Sequence, residues 1–140
     1  MRKQTTVSYQ APPEHLSEMI DVDDFKSVFR NHPAGVSIIT ADAGKGPAGL
    51  TATSVISASA NPPILVFSLS AQASTAPTIA NSETVVVHML GAQHLALAKT
   101  FSAHNTDRFA DKDSWTRLPT GEPILTAATG LRDHRYSGWR

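Results

Sequence analysis

Short β-branched and apolar runs, each cut off by glycine or proline, constrain this chain more than anything else in it. Gly35-Val36-Ser37-Ile38-Ile39-Thr40, residues 48–54, Ile64-Leu65-Val66-Phe67-Ser68-Leu69 and Thr84-Val85-Val86-Val87-His88-Met89 have the length and residue types of strands. Residues 42–47 contain Gly44, Gly46 and Pro47, which is turn chemistry and makes the first two runs a hairpin. Asn61-Pro62-Pro63 punctuates the approach to 64–69, which reads as the clearest buried strand. Helical signals are few and short. Residues 23–30 place Phe25, Val28 and Phe29 at i, i+3 and i+4, with Asp21 or Asp23 as the cap and Pro33 as the stop. Residues 76–80 make one or two turns capped by Ser74 or Thr75, and 93–103 carry Leu95, Ala98 and Phe101 along one face. Residues 107–109 and a polar loop holding Trp115 lead to Gly121-Glu122-Pro123-Ile124-Leu125. The expectation is a mainly β fold, an antiparallel barrel or sandwich with short peripheral helices.

The chain has 140 residues, which fits one domain. Residues 1–21 are polar, contain Pro12-Pro13 and read as a flexible N-terminal arm, leaving 22–140 as the domain. There is no cysteine, which excludes a disulfide scaffold and thiolate metal sites. Twelve basic and twelve acidic residues balance, where a nucleic-acid binder would carry a basic excess. No apolar stretch approaches the ~18 residues of a membrane span. Met1-Arg2-Lys3 runs into Gln4-Thr5-Thr6 and not into an apolar segment, so no secretory signal is read. The expected setting is the cytoplasm, without nucleic-acid or membrane partners. The zero net charge points towards self-association.

The residues that offer chemistry are mostly hydroxyls. Thr51, Ala52, Thr53 and Ser54, followed by Ser57 and Ser59, form a run of small residues in which the backbone can approach a flat ring and hydroxyls can meet phosphate or ribityl oxygens. The same run reads equally as a strand with one wet face and a hydroxyl-rich turn. Ser74-Thr75 opening a helix is either an ordinary cap or an anion seat. Arg108 beside Phe109 either reaches a phosphate or pairs on the surface with Asp107 or Asp111. His15, His32, His88, His94, His104 and His134 are scattered without metal-ligand spacing, and His88 reads as a hydrogen-bonded core histidine. No G-x-S-x-G, G-x-G-x-x-G or P-loop is present.

In their order these segments resemble the flavin reductase-like family. The resemblance is carried by Phe29-Arg30, Pro33-Ala34-Gly35-Val36, Ile38-Ile39-Thr40, Gly46-Pro47-Ala48-Gly49-Leu50-Thr51-Ala52-Thr53-Ser54, Ser57-Ala58-Ser59-Ala60-Asn61-Pro62-Pro63, Leu95-Ala96, Phe101, Asp107-Arg108-Phe109 and Gly121-Glu122-Pro123-Ile124-Leu125. It implies an FMN-binding split β-barrel, a homodimer, and a flavin reductase (NAD(P)H:flavin oxidoreductase) that reduces FMN or FAD with NADH or NADPH. It implies further that reduced flavin serves a partner monooxygenase. Carried over by position, Thr51, Ala52, Thr53 and Ser54 would line the isoalloxazine and ribityl chain, with Ser57 and Ser59 on the adjoining loop. Ser68, Ser70, Ser74 and Thr75 would lie towards the phosphate, and Arg108 and Phe109 would close the site from the neighbouring subunit.

The family continues past its Pro-Ile-Leu segment into further strands and a Gly-Asp-His motif. Here Arg132 precedes Asp133-His134, and the basic tail does not read as a strand. The expectation is a split barrel short of some C-terminal strands. His88 stands where the family often has asparagine. Three readings are carried forward, of which the first two are a flavin reductase and a non-catalytic flavin-binding module with an incomplete nicotinamide site. A structural remnant that dimerises without cofactor is the third.

Overall fold

The computed structural model describes residues 21–30, 32–128 and 131–134, the last four by backbone alone. They divide into two compact units, with the break between Pro33 and Ala34. The first holds helix α1 (Val22–Arg30). Asp21 is its cap: Oδ1 accepts the N–H groups of Asp23 at 2.8 Å and Asp24 at 3.3 Å, which also sets a negative charge at the positive end of the helix. The i, i+4 spacing of Phe25 and Phe29 brings their rings to 4.6 Å.

The second unit runs β1 (Ser37–Asp42), β2 (Pro47–Ala52), β3 (Ile56–Ala60), β4 (Pro63–Val66), α2 (Ala76–Asn81), β5 (Val85–Met89), a 3-10 turn (Ala92–His94), α3 (Leu95–Ser102), β6 (Trp115–Arg117), β7 (Pro123–Leu125) and β8 (Leu131–His134). The mainly β expectation holds. A four-stranded sheet has the order β2-β1-β5-β8, and two ribbons pair β3 with β4 and β6 with β7. β1 and β2 form the expected hairpin, with Ser37 opposite Ala52 and Asp42 opposite Pro47.

β1 sits inside the sheet and is covered on both faces. The two-residue period of a strand sends Ile39 and Ala41 one way and Ile38 and Thr40 the other. Ile39 and Ala41 join Ala52, Val85, Val87 and Ile79 of α2, with Leu65, Phe67 and Leu69 packed against them. Ile38 joins Phe101 of α3, Phe109, Leu125 of β7 and Ala128, with Trp115 against them. The first face is apolar except for Ser37, whose Oγ donates to Met89 Sδ at 3.3 Å. The second carries Thr40, Thr51 and His88, and each spends its polar atom on the backbone of a covering element. Thr40 Oγ1 donates to Pro123 O at 2.5 Å, Thr51 Oγ1 donates to Ala98 O at 2.7 Å, and His88 Nε2 accepts Leu125 N–H at 3.0 Å.

Gly49, also on this second face, lies against Phe101 of α3. A Cβ there would stand 2.6 Å from Phe101 Cε1 and 3.2 Å from Thr40 Cγ2. The ring of Phe101, 1% exposed, occupies the room that a side chain at 49 would need. The β1–β2 turn is closed by Asp42, whose Oδ1 accepts Gly44 N–H at 2.8 Å and Gly46 N–H at 3.1 Å. Gly44 and Gly46 have φ of +86° and +115°, a region that side chains disfavour. Arg117 Nη1 reaches Asp42 Oδ2 at 2.8 Å and ties this turn to β6.

Several expectations are corrected. Residues 64–69 are not the clearest buried strand: β4 ends at Val66, and Ile64 is 44% exposed, because its ribbon has a cover on one side only. Ser57 and Ser59, expected on a loop, lie in the partner strand β3, with a register shift between them that breaks the period a sequence reading relies on. Trp115 begins a strand and is not in a loop. The helix read over 93–103 starts as a 3-10 turn, and Leu95 is 61% exposed while Phe101 carries the packing. Residues 131–134 of the tail do form a strand, paired with β5.

Two outcomes follow from these contacts. Gly49→Ala drives a methyl group into Phe101 and lowers stability by about 1–3 kcal/mol, the usual cost of overpacking; an unchanged urea midpoint refutes it. Burial works to raise the pKa of Asp42, but Arg117 and the Gly44 and Gly46 amides outweigh it and hold the carboxyl below its ordinary 3.8. Its stabilisation is therefore present above 3.8 and lost as pH falls through the lowered value. The urea-midpoint gap between wild type and Asp42→Asn closes on going from about pH 6 to about pH 2; a gap that stays constant shows that the charge contributes nothing.

Candidate functional site

Thr51 and Ala52 lie at the end of β2 and are turned to opposite faces. Thr51 is half-buried and its hydroxyl is spent on Ala98 O, while Ala52 is 6% exposed in the apolar face. Thr53, one residue past the strand, is exposed. Ser54 then bonds Ser68 as a strand would: its Oγ accepts Ser68 N–H at 2.9 Å and lies 3.4 Å from Ser68 O. One side chain thereby links the end of the hairpin to the end of the β3–β4 ribbon.

Ser57 is exposed and Ser59 half-buried on β3, on either side of the register shift. The chain then passes through Ser68, Ser70 and Ser74, all exposed, to Thr75 at the start of α2. Ser70 Oγ accepts Gln72 N–H at 3.3 Å. Thr75 holds the N-cap position but makes no side-chain cap bond, and Ser74 makes none either, so neither caps the helix as the sequence suggests. Val55, Phe67 and Leu69, interleaved with these hydroxyls, anchor the region on the apolar face of the sheet.

Arg108 and Phe109 belong to the other face. Phe109 is 4% exposed, and its ring meets Phe101 and Trp115 edge-on at 5.3 and 5.2 Å. Its N–H goes to Asp107 Oδ1 at 3.0 Å. Arg108 does not pair with Asp107 or Asp111 as a surface arginine would. Among the described residues the salt bridge is Asp42–Arg117, and Asp111 Oδ1 takes Asp113 N–H at 3.0 Å. Arg108 Nη2 donates to Ala103 O at 2.7 Å, and its Nε is a buried donor without an acceptor. Such a group costs about 1–3 kcal/mol unless something meets it.

The candidates therefore form two groups. One is a hydroxyl-lined seam from Thr53 to Thr75. The other is the Arg108–Phe109 corner across the sheet, and within one chain the fold does not bring it to the seam. Among the described residues, the hydroxyls of Thr53, Ser57, Ser68 and Ser74 find no partner, and Arg108 adds an unmet cationic donor. That donor set fits a ligand rich in hydroxyl and phosphate oxygens.

His88 is the core histidine its sequence context suggests. It is fully buried between Ile38 O and Leu125 N–H, and burial lowers its pKa below 6.5 against the opposing effect of the Ile38 carbonyl. Sequence reasoning missed His94, whose ring spans Gly91 N–H and Ala127 O. Its signal is faint: a histidine three residues after a glycine at a helix start, with its second partner 33 residues away.

The family model described as "Flavin reductase like domain" matches residues 29–133. The NADH:FMN oxidoreductase of Rhodococcus erythropolis is 42% identical over 115 residues, which cover 82% of this chain and 59% of that protein. This chain thus spans less than two thirds of that relative's length. Among solved structures, a flavin reductase domain protein from Arthrobacter sp. FB24 is 43% identical with a TM-score of 0.70, over 74% of this chain and 64% of that one. A homologue of nitrilotriacetate monooxygenase component B from Mycobacterium thermoresistibile is 26% identical with a TM-score of 0.68, over 80% and 62%.

Thr51→Val leaves Ala98 O without its donor and lowers stability by about 1 kcal/mol. Urea unfolding checks this, and a full wild-type midpoint shows that the hydroxyl serves something other than α3.

Proposed function

This chain belongs to the flavin reductase-like family, and from that premise we propose that it is an NAD(P)H-dependent flavin reductase supplying reduced FMN or FAD. The observation that carries this reading is the 42% identity to an NADH:FMN oxidoreductase over 82% of the chain. The unspent hydroxyls of the seam support it chemically. Thr53, Ser57, Ser59, Ser68, Ser70, Ser74 and Thr75 would hold the ribityl and phosphate oxygens, while Thr51, Ala52 and Ser54 shape the backbone beneath the ring. Bound flavin supplies the acceptor for a hydride delivered by nicotinamide, so the protein's part is to position and to exclude water. No general base is required of the chain.

Two further parts of the proposal follow. The seam and the Arg108 corner lie on opposite faces of one sheet, so a site that uses both takes Arg108 from a second copy. This supports a homodimer, with the exposed Ile56 and Ile64 of the β3–β4 ribbon as apolar surface for it. Reduced flavin would pass to a monooxygenase component, a role in keeping with the relative from Mycobacterium thermoresistibile. The setting we propose is the cytoplasm, where the nicotinamide pool is available.

The test adds FMN or FAD to the purified chain, follows flavin fluorescence, and records NADH and NADPH absorbance against a control without protein. Saturable flavin binding with flavin-dependent nicotinamide consumption is the expected result. Binding without consumption replaces the reductase with a flavin-binding module, and no binding of either flavin removes both. Arg108→Ala is expected to weaken flavin binding about tenfold, the loss of one charged hydrogen bond. Unchanged affinity takes Arg108 out of the site.

A further inference from the structure

Two histidine rings grip the segment 122–128, and they do so in opposite tautomers. His88 Nε2 accepts Leu125 N–H at 3.0 Å, so its proton is on Nδ1, which donates to Ile38 O at 3.1 Å. His94 Nδ1 accepts Gly91 N–H at 3.0 Å, so its proton is on Nε2, which donates to Ala127 O at 2.9 Å. Each ring faces a backbone donor with one nitrogen and a backbone acceptor with the other. Only a neutral imidazole fits such a place, because a second ring proton sets N–H against N–H.

We propose that His88, with His94 bracing the same segment, forms an acid-sensitive latch on 122–128: the neutral His88 ring holds the segment against β5, and protonation of that ring releases it while the four-stranded sheet stays folded. The release has a direction. At the front of the segment, Glu122 accepts the Thr84 and Thr120 hydroxyls, and Pro123 O accepts Thr40 Oγ1. These bonds contain no titrating imidazole. The histidine partners, Leu125 and Ala127, lie behind them on either side of Thr126, whose N–H and Oγ1 both go to Ser114 O, so release loosens the back of the segment from β5 while Thr126 stays with the loop before β6. Leu125 and Ala128 then leave the cluster of Ile38, Phe101 and Phe109.

Among the described side chains, the carboxylates of Asp42 and Glu122 on the elements packed around the rings are already engaged. Asp42 at the end of β1 is engaged by Arg117 of β6. Glu122 is bonded to two threonines. Lys99 on α3 and Lys112, which donates to Phe109 O, are themselves cationic. β8, beside β5, carries Arg132, Asp133 and His134. Burial lowers the pKa of His88 and outweighs the Ile38 carbonyl, so its stabilisation is complete above 6.5 and is lost as pH falls through the lowered value.

Amide hydrogen exchange on the wild-type chain at about pH 7.5 and about pH 5, corrected for intrinsic rates, tests the latch. Peptides over 122–128 are expected to lose about tenfold more protection at the lower pH than peptides over β1. Equal loss in the two regions is acid unfolding of the whole unit and overturns the proposal. In the double variant His88→Asn with His94→Gln, the pH-linked difference is expected to vanish, and its survival overturns the proposal. Should that variant fail to fold, ring 15N resonances of the wild type give the two protonation midpoints directly. The Leu125 amide must then move with the His88 ring, and a Leu125 signal unmoved through both midpoints overturns the latch.

Discussion

β7 has a strand on one edge and side chains on the other, and the second face of the sheet is organised by that arrangement. Leu118 N–H reaches Glu122 O, and Thr126 N–H reaches Ser114 O, so the even-numbered backbone groups of this segment turn towards β6. The odd-numbered groups turn inward, where no described strand pairs with them. A buried carbonyl and a buried amide there would each forfeit their bonds with water. Thr40 meets the first and His88 the second. Two polar residues inside apolar strands thus take the place of a strand, and Ile38, Phe101, Phe109 and Leu125 close around them.

The covering of β1 on both faces divides the chemistry. Apolar packing on one face carries α2 and the run of serines after β4. The polar face carries α3, the β6–β7 ribbon and the arginine with the unmet donor. Neither group alone offers both free hydroxyls and a cationic donor. A sheet that is buried twice in one chain leaves its polar groups at the margins, where the proposed second copy would add to them.

The sequence made legible whatever depends on neighbours in the chain. Asp21 capping α1, the β1–β2 hairpin with its glycine turn, and the burial of His88 within an apolar run all follow from local pattern. What it hid depends on partners far along the chain. The hydroxyls at 51 and 54 look alike in sequence. Thr51 turns out to serve Ala98, 47 residues on, and Ser54 serves Ser68, 14 residues on. The register shift between Ser57 and Ser59 removed the alternation that would have announced β3. The apolar run 64–69 promised burial, but hydrophobicity reports a wish for cover and does not say which molecule supplies it. Of the candidate site, the seam was readable as a stretch of small hydroxyl residues. That Arg108 and Phe109 lie across the sheet from it was not.

The contact between Gly49 and the Phe101 ring links two positions 52 residues apart in the chain by a volume that only one of them can fill. That makes them a compensating pair in evolution. A lineage that acquires a side chain at 49 has to surrender ring volume at 101 or let α3 drift from the sheet, which would stretch the Thr51–Ala98 bond beside it. Descendants of this fold should therefore divide into those with glycine and a large aromatic and those with a small residue facing a smaller one, and few sequences should stand between.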